Sequence, residues 1–147
     1  MGDVGGVAGD TNAGATLTAC YATGNVTLEI NSQKILSGGG LVGFCGGKSV
    51  LLACYATGNV TSTGSSTGNV DIGGFLGENN SFVTACYWKN NHEQGIGYNK
   101  KSTKATKVDG TGVTWQKAVD AMNTALTAGD YQWTLGTDGL PVLQKRQ

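Results

Sequence analysis

The chain has 147 residues with ten basic and ten acidic side chains, so its formal net charge is zero. This balance argues against a nucleic-acid-binding protein, which needs a basic face to replace the counterions of the phosphate backbone. The length is that of one domain, and no apolar run approaches the roughly 20 residues that a transmembrane helix requires.

Two motifs recur through residues 4–88 at a spacing of 34 residues, except that Cys86 follows Cys54 by 32 residues. The first is the stretch Ala19–Thr27, which returns unchanged as Ala53–Thr61 and in shortened form as Thr84–Trp88. The second is a glycine-rich motif that occurs at Val4–Gly9, Gly38–Gly43 and Ile72–Gly77. A fixed period of this length is typical of repeat architectures, in which each repeat packs against its neighbours.

Short strands separated by turns are expected throughout the repeats, because runs of β-branched, aromatic and small apolar residues alternate with Gly-Gly, Thr-Gly-Asn and Ser-Gly. The expected strands are 17–22, 26–30, 41–44, 50–56 and 83–88. Parallel strands of one sheet ordinarily need helical crossovers, yet these repeats show no helical period. We therefore predict a mainly β fold: a parallel β-helix (β-solenoid) of about three 34-residue repeats, expected to be right-handed, with a C-terminal capping helix and terminal strands.

Equivalent residues of successive repeats are expected to stack in columns, for example Leu17, Leu51 and Val83. Leu17 and Cys20 differ in parity, so the chain must bend near Ala19 if both side chains point inward. This bend would form a corner of the predicted coil.

Three of the four cysteines, Cys20, Cys54 and Cys86, occupy one repeat position, whereas Cys45 has no counterpart. Neighbouring strands lie about 4.8 Å apart, which is close to the Cα separation of a disulfide. A free cysteine also behaves as a small buried hydrophobe. The sequence thus allows either a reduced, buried column or one bridged pair.

The composition changes after Trp88, where residues 89–113 become polar and glycine-rich. We expect a long surface connection there, with its lysines solvated. Further along, apolar residues at helical spacing predict a helix from Trp115, capped by Thr114 and ended near Gly129. Two final strands are expected around the Asp138-Gly139 turn.

The predicted organisation is a single domain over 1–147, with β-solenoid repeats in 1–88, a polar connecting loop in 89–113 and a C-terminal cap in 114–147. Because the end of a stack of strands exposes unpaired backbone and apolar core, we expect the cap to cover that end. Nothing comparable precedes Val4, so upstream repeats of a parent chain, or a partner, are expected to cover the other end.

The pairing of Gly39–Gly43 with Cys54–Val60 resembles the GLUG repeat family of bacterial surface proteins. The ending is also similar, with Cys86-Tyr87-Trp88, a polar stretch, a short helix and Gly139–Leu143. The resemblance implies a parallel β-helix that is non-catalytic and belongs to a large cell-surface or secreted protein, often an adhesin and sometimes a protease that cuts host immunoglobulin. This chain departs from the family pattern at Val7-Ala8 and at Lys89–His92.

The expected function is therefore adhesion or ligand binding by a non-catalytic module of an extracellular or cell-surface bacterial protein. Its partner would be a glycan or a host or matrix protein, and a purely structural stalk is the alternative. Exposed aromatic side chains are the candidate contacts, because sugars and protein partners both favour Tyr and Trp. The candidates are Tyr21, Tyr55 and Tyr87, together with Trp88 and Tyr98. The first three would form a ladder along one side if they point outward, and the alternative is that they pack inward or cover a turn.

A polysaccharide-acting enzyme is a second alternative. Asp10 and Glu78 both follow the repeat glycine, so they should lie two strands apart, at about 9.6 Å. That value is near the upper end of the roughly 6.5–9.5 Å between the carboxyl groups of inverting glycosidases. The sequence predicts no other catalytic residue, no cofactor and no metal site, since His92 is the single histidine and no second ligand accompanies it at a zinc-binding spacing.

Overall fold

The computed structural model describes residues 2–31 and 35–147. Short strands succeed one another as far as Lys107, and a helix and two longer strands follow. In chain order the elements are β1 (Gly2–Gly5), β2 (Ala8–Thr11), β3 (Thr16–Thr18), β4 (Tyr21–Ala22), β5 (Val26–Ile30), β6 (Leu36–Gly39), β7 (Val42–Cys45), β8 (Val50–Leu52), β9 (Tyr55–Ala56), β10 (Val60–Gly64), β11 (Val70–Gly73), β12 (Leu76–Asn79), β13 (Phe82–Thr84), β14 (Tyr87–Trp88), β15 (Ile96–Asn99), β16 (Thr106–Lys107), α1 (Trp115–Ala125), β17 (Tyr131–Leu135) and β18 (Pro141–Lys145).

Strands from successive repeats pair in parallel, and the fold is mainly β, as predicted. The parallel sheets are β1–β6–β11, β2–β7–β12–β15, β3–β8–β13, β4–β9–β14–β16 and β5–β10. The chain visits these sheets in the same order from β1 to β5 and again from β6 to β10. Leu17 pairs with Leu51, and Leu51 with Val83, so the predicted column is confirmed.

A seam of glycines lets the sheet of β1 approach the sheet of β2 until their backbones touch. A Cβ atom at Gly43 would lie 2.5 Å from Val4 N and 2.8 Å from Ser37 O. One at Gly77 would lie 2.5 Å from Gly38 N and 2.9 Å from Asp71 O. These distances are shorter than real Cβ contacts, so the repeated glycines are explained by close approach of two sheets.

The chain bends at one alanine in each repeat, directly after the third strand. Ala19, Ala53 and Ala85 have φ values of 53°, 55° and 50°, in the left-handed region that non-glycine residues seldom adopt. The bend reverses the parity of the side chains, so that both the Leu51 and Cys54 positions join one buried cluster. The predicted corner near Ala19 is confirmed.

The segment 89–113 differs from the prediction, because it contains strands as well as loops. β15 pairs with β12 and β16 pairs with β14, so both extend existing parallel sheets by one strand. The prediction of an irregular connection is therefore wrong for these residues. Both strands are short and mostly polar, and they are held by backbone hydrogen bonds such as Thr106 N to Cys86 O at 2.9 Å.

The C-terminal residues form the predicted helix and hairpin, with boundaries close to those expected. Thr114 caps α1 by accepting a hydrogen bond from Lys117 N at 3.3 Å, although the helix ends at Ala125, with Leu126 as its C-cap, rather than near Gly129. β17 and β18 are antiparallel, and Gly139 in their turn has a φ of 79°.

The position of this C-terminal part is not the predicted one. Ala118, Val119 and Met122 of α1 pack in one buried cluster with Ala53, Tyr55 and Trp133, and the equivalent corner residues Ala19 and Ala85 flank it. Three successive repeats therefore contact the same surface of the C-terminal part. It lies along the side of the stacked sheets, where it covers the alanine corners, rather than over an end.

Candidate functional site

The predicted tyrosine ladder exists, but the C-terminal part covers its centre. The rings of Tyr21 and Tyr55 stack with centroids 5.2 Å apart and an interplanar angle of 12°. Trp115 and Trp133 each meet the Tyr55 ring edge-on, at 5.1 Å and 5.4 Å. The side chains of Tyr21 and Tyr55 point outward from their strands, as the ladder requires, and they pack beneath the hairpin.

Burial decides which of the predicted contact residues can meet a ligand. Tyr55 is 1% exposed, its hydroxyl donates to Pro141 O at 2.7 Å, and burial raises its pKa. Trp88 is 6% exposed and its Nε1 donates to His92 O at 3.1 Å. Tyr55 and Trp88 are therefore structural residues, and we correct their assignment as surface contacts.

The other three candidates differ in their surroundings. Tyr87 is half-buried and partly packed against the cluster beneath α1, and burial raises its pKa. Tyr21 is 46% exposed but stands beside the hairpin. Tyr98 is 50% exposed and belongs to a cleft of its own.

We call this cleft the Tyr98 cleft; it is a cavity of about 240 Å³ lined by Ile35, Asn69, Asp71, Glu78, Tyr98 and Lys100. Asp71 lies on β11, Glu78 on β12 and Tyr98 on β15, where Tyr98 pairs directly with Glu78. The glycine seam at Gly77 brings the first two strands together, because only a residue without a side chain permits that approach. Asp71 and Glu78 therefore come from two strands that the seam holds close together.

Lys100 contacts two other residues that line the cleft. Its Nζ donates to Glu78 Oε1 at 2.5 Å and lies 5.4 Å from the centroid of the Tyr98 ring. The hydrogen bond and the charge of Glu78 raise the pKa of Lys100. The sequence indicated only a solvated lysine here, and the partner could not be foreseen because strand β15 was not predicted.

Asp71 is the second carboxyl group of the cleft. Burial and the neighbouring Glu78 raise its pKa, and Lys100 opposes this. No hydrogen bond or ion pair holds its carboxylate within residues 2–31 and 35–147. The sequence reasoning missed Asp71, although one signal was present: position 71 is polar beside a glycine motif, as are Asp3 and Ser37 in the earlier repeats.

The proposed catalytic pair lies where the repeat placed it. Asp10 pairs with Phe44, and Phe44 with Glu78, so the two carboxylates share one column. Asp10 is exposed, whereas Glu78 is buried and bound to Lys100. A carboxylate held in an ion pair is not presented to a scissile bond, so the arrangement gives the enzyme alternative no specific support.

The four cysteines are all free thiols, which corresponds to the reduced alternative. Cys54 Sγ accepts a hydrogen bond from Cys20 N at 3.4 Å and donates to Leu52 O at 3.3 Å. The hydrogen bond with Cys54, and then burial, raise the pKa of the Cys20 thiol. Thiols held in the protonated form are poor nucleophiles, so this column is structural.

Asn91 and His92 form hydrogen bonds at the end of a sheet. They lie in the stretch where the chain departs from the GLUG pattern. Asn91 Oδ1 accepts from Val60 N and its Nδ2 donates to Val60 O, both at 2.9 Å. His92 Nε2 lies 2.7 Å from the same carbonyl oxygen. Asn91 thus replaces a paired strand residue with a side-chain amide. Among the described residues no three His, Cys, Asp or Glu side chains are arranged to hold a metal ion.

A larger cavity, of about 410 Å³, lies against the terminal hairpin and is lined by Gln132, Gln144, Lys145, Arg146 and Gln147. Its lining has no aromatic ring and no acidic side chain, so it lacks the mixture of apolar surface and placed polar groups that marks ligand sites. The Tyr98 cleft has both an aromatic ring and acidic side chains.

Comparisons with family models, curated proteins and solved structures found no match for this chain. The resemblance to GLUG repeats therefore rests on the two motifs themselves. Within the described ranges, no helix is long and apolar enough to cross a membrane.

Proposed function

We propose that this chain is a non-catalytic, glycan-binding module of a bacterial surface or secreted protein, and that its parallel sheets close into a β-solenoid. The observation that carries the binding proposal is a half-exposed Tyr98 ring beside two carboxylates and an amide in one cleft. The resemblance of the repeat motifs to GLUG proteins supports the surface location.

The order of the strands supports the solenoid. The first two repeats each send one strand to each of five sheets in the same order, and the third repeat sends strands to four of them. Equivalent turns stack, as in the hydrogen bonds Val7 N to Leu41 O and Leu41 N to Phe75 O, both at 2.9 Å. Three clusters of buried side chains lie between the sheets and beneath the C-terminal part. A coil of about three turns accounts for all of these contacts.

The chemistry of the cleft supports a sugar ligand. A sugar ring offers apolar C–H surface to an aromatic ring and hydroxyl groups to carboxylates and amides. Tyr98 and Ile35, which are 50% and 45% exposed, provide the apolar surface. Asp71 and Asn69 provide hydrogen-bonding groups at the rim.

The size of the cleft indicates weak binding by a single site. Its volume of about 240 Å³ lies below the roughly 300–1,000 Å³ of typical ligand pockets. One sugar ring or the end of a glycan fits such a space better than a long chain. Strong adhesion would then come from many copies acting together, because linked sites raise avidity without new contacts.

The experiment is a multivalent glycan and matrix-protein array with the purified chain, followed by titration of any retained glycan. We expect Tyr98→Ala to weaken binding about tenfold, as loss of a central aromatic contact does. Tyr131→Ala is the matched control, because Tyr131 is 53% exposed and lies on the distant hairpin. Retention of a matrix protein alone would refute the glycan proposal, and an array without any retention would favour a stalk.

A further inference from the structure

We propose that the Tyr98 cleft prefers amino sugars with a free, protonated amine over neutral and acidic sugars. This inference rests on the proposed glycan binding and adds the chemical class of the ligand. It starts from the balance of charge around the cleft.

The cleft carries one more negative than positive charge. Lys100 and Glu78 form a close ion pair, with Nζ and Oε1 2.5 Å apart, so their charges offset each other. Asp71 remains, without a hydrogen bond or ion pair in the described ranges. Its carboxylate is half-buried and belongs to the lining of the cleft, where it can meet a donor from a ligand.

The same surface continues beyond the cleft with two more carboxylates. Asp3 aligns with Ser37, and Ser37 with Asp71, so the three side chains point to one side of their sheet. Asp10 lies in the Glu78 column. Burial and the charge of Asp10 raise the pKa of Asp3, as expected where carboxylates crowd together.

An ammonium group satisfies these conditions better than a hydroxyl or a carboxylate. It brings a positive charge and three donors, and hydrogen bonds between charged partners are roughly twice as strong as neutral ones. A uronic acid would instead place a carboxylate beside Asp71. The expected preference is about fivefold, the size of one partly exposed charge pair.

The test compares three tetrasaccharides that share a β-1,4 backbone: a glucosamine oligomer, a glucose oligomer and a glucuronic acid oligomer. Isothermal titration with the purified chain at pH 6 should give the tightest Kd for the glucosamine oligomer and the weakest for the glucuronic acid oligomer. Raising the salt concentration should reduce the difference, because exposed charges are screened.

Asp71→Asn should bring the ratio of the glucosamine and glucose Kd values close to one, whereas the exposed control Asp130→Asn should leave that ratio unchanged. Equal Kd values for all three oligomers in the unmodified chain, or tightest binding of the glucuronic acid oligomer, would overturn the inference and leave glycan binding in place. Binding of none of the oligomers, with none retained on the array, would overturn both.

Discussion

Replacing Tyr55 with Phe tests whether the hairpin is seated on the tyrosine ladder. The substitution keeps the ring that stacks on Tyr21 and meets Trp133. It removes only the hydroxyl group, which donates to Pro141 O at 2.7 Å in a fully buried position. The carbonyl of Pro141 would then be left without this donor, so the change isolates one hydrogen bond between the repeats and the C-terminal part.

The expected loss is about 1–3 kcal/mol, the cost of a buried acceptor left without its partner. With an unfolding entropy of about 2.1 cal/mol/K per residue, a chain of 147 residues should lose roughly 3–10 °C in Tm. Tyr55→Ala should cost more, about 3–5 kcal/mol, because it also leaves a cavity.

Thermal unfolding followed by circular dichroism measures both variants. Tyr21→Phe is the control, because Tyr21 stacks in the same ladder but is 46% exposed and its hydroxyl has no hydrogen bond in the described ranges. We expect its free energy of unfolding to change by no more than about 0.5 kcal/mol, as for ordinary surface substitutions. Equal Tm values for Tyr55→Phe and Tyr21→Phe would refute the packing of the hairpin on the ladder.

Three further substitutions test the seam, the cleft and the sheet end. Gly43→Ala should destabilise the fold by about 1–3 kcal/mol or more in chemical denaturation, because its Cβ would lie 2.5 Å from the backbone of Val4. Gly24→Ala is the control: a Cβ there would have no atom within 4 Å, so stability should change little, and equal effects would refute the seam. Asp71→Asn should raise the Tm at pH 7 but not at pH 3. The folded-state pKa of Asp71 is raised, so its contribution to stability is present below pH 3.8 and is lost as pH rises through the folded-state pKa. A lower Tm at pH 7 would contradict this. Asn91→Ala should speed hydrogen exchange of the Val60 amide, which donates to Asn91 Oδ1 at 2.9 Å, and unchanged exchange would show that the amide is protected in another way.

Local patterns were sufficient to predict part of the strands, the bend near Ala19 and the terminal elements, whereas β1, β2, β6, β10, β11 and β12 were not predicted. The parity change between Leu17 and Cys20 requires a bend, and a positive φ at Ala19 provides it. The apolar spacing after Thr114 predicts α1, because it leaves a stripe that must pack against something. Such features depend only on residues that lie close together in the sequence.

Features that depend on distant contacts could not be predicted in the same way. The ladder column shows that Tyr21 and Tyr55 are neighbours, but it does not show which part of the chain covers them. Strand β15 has few apolar residues, and it exists because β12 offers it an unpaired edge. The pairing of Lys100 with Glu78 follows from that strand, so it was missed for the same reason.

The positions at which the repeats differ lie beside glycines that the repeats share. Backbone contact fixes a glycine at Gly43 and at Gly77, since a side chain there would collide with the next sheet. The adjacent column is Asp10, Phe44, Glu78 and Tyr98 in register, and no two of these residues are alike. Packing therefore places no common demand on that column, and its side chains are free to differ from one turn to the next. The Tyr98 cleft forms where this column brings an aromatic ring beside a carboxylate, so the candidate site lies where the repeats differ from one another.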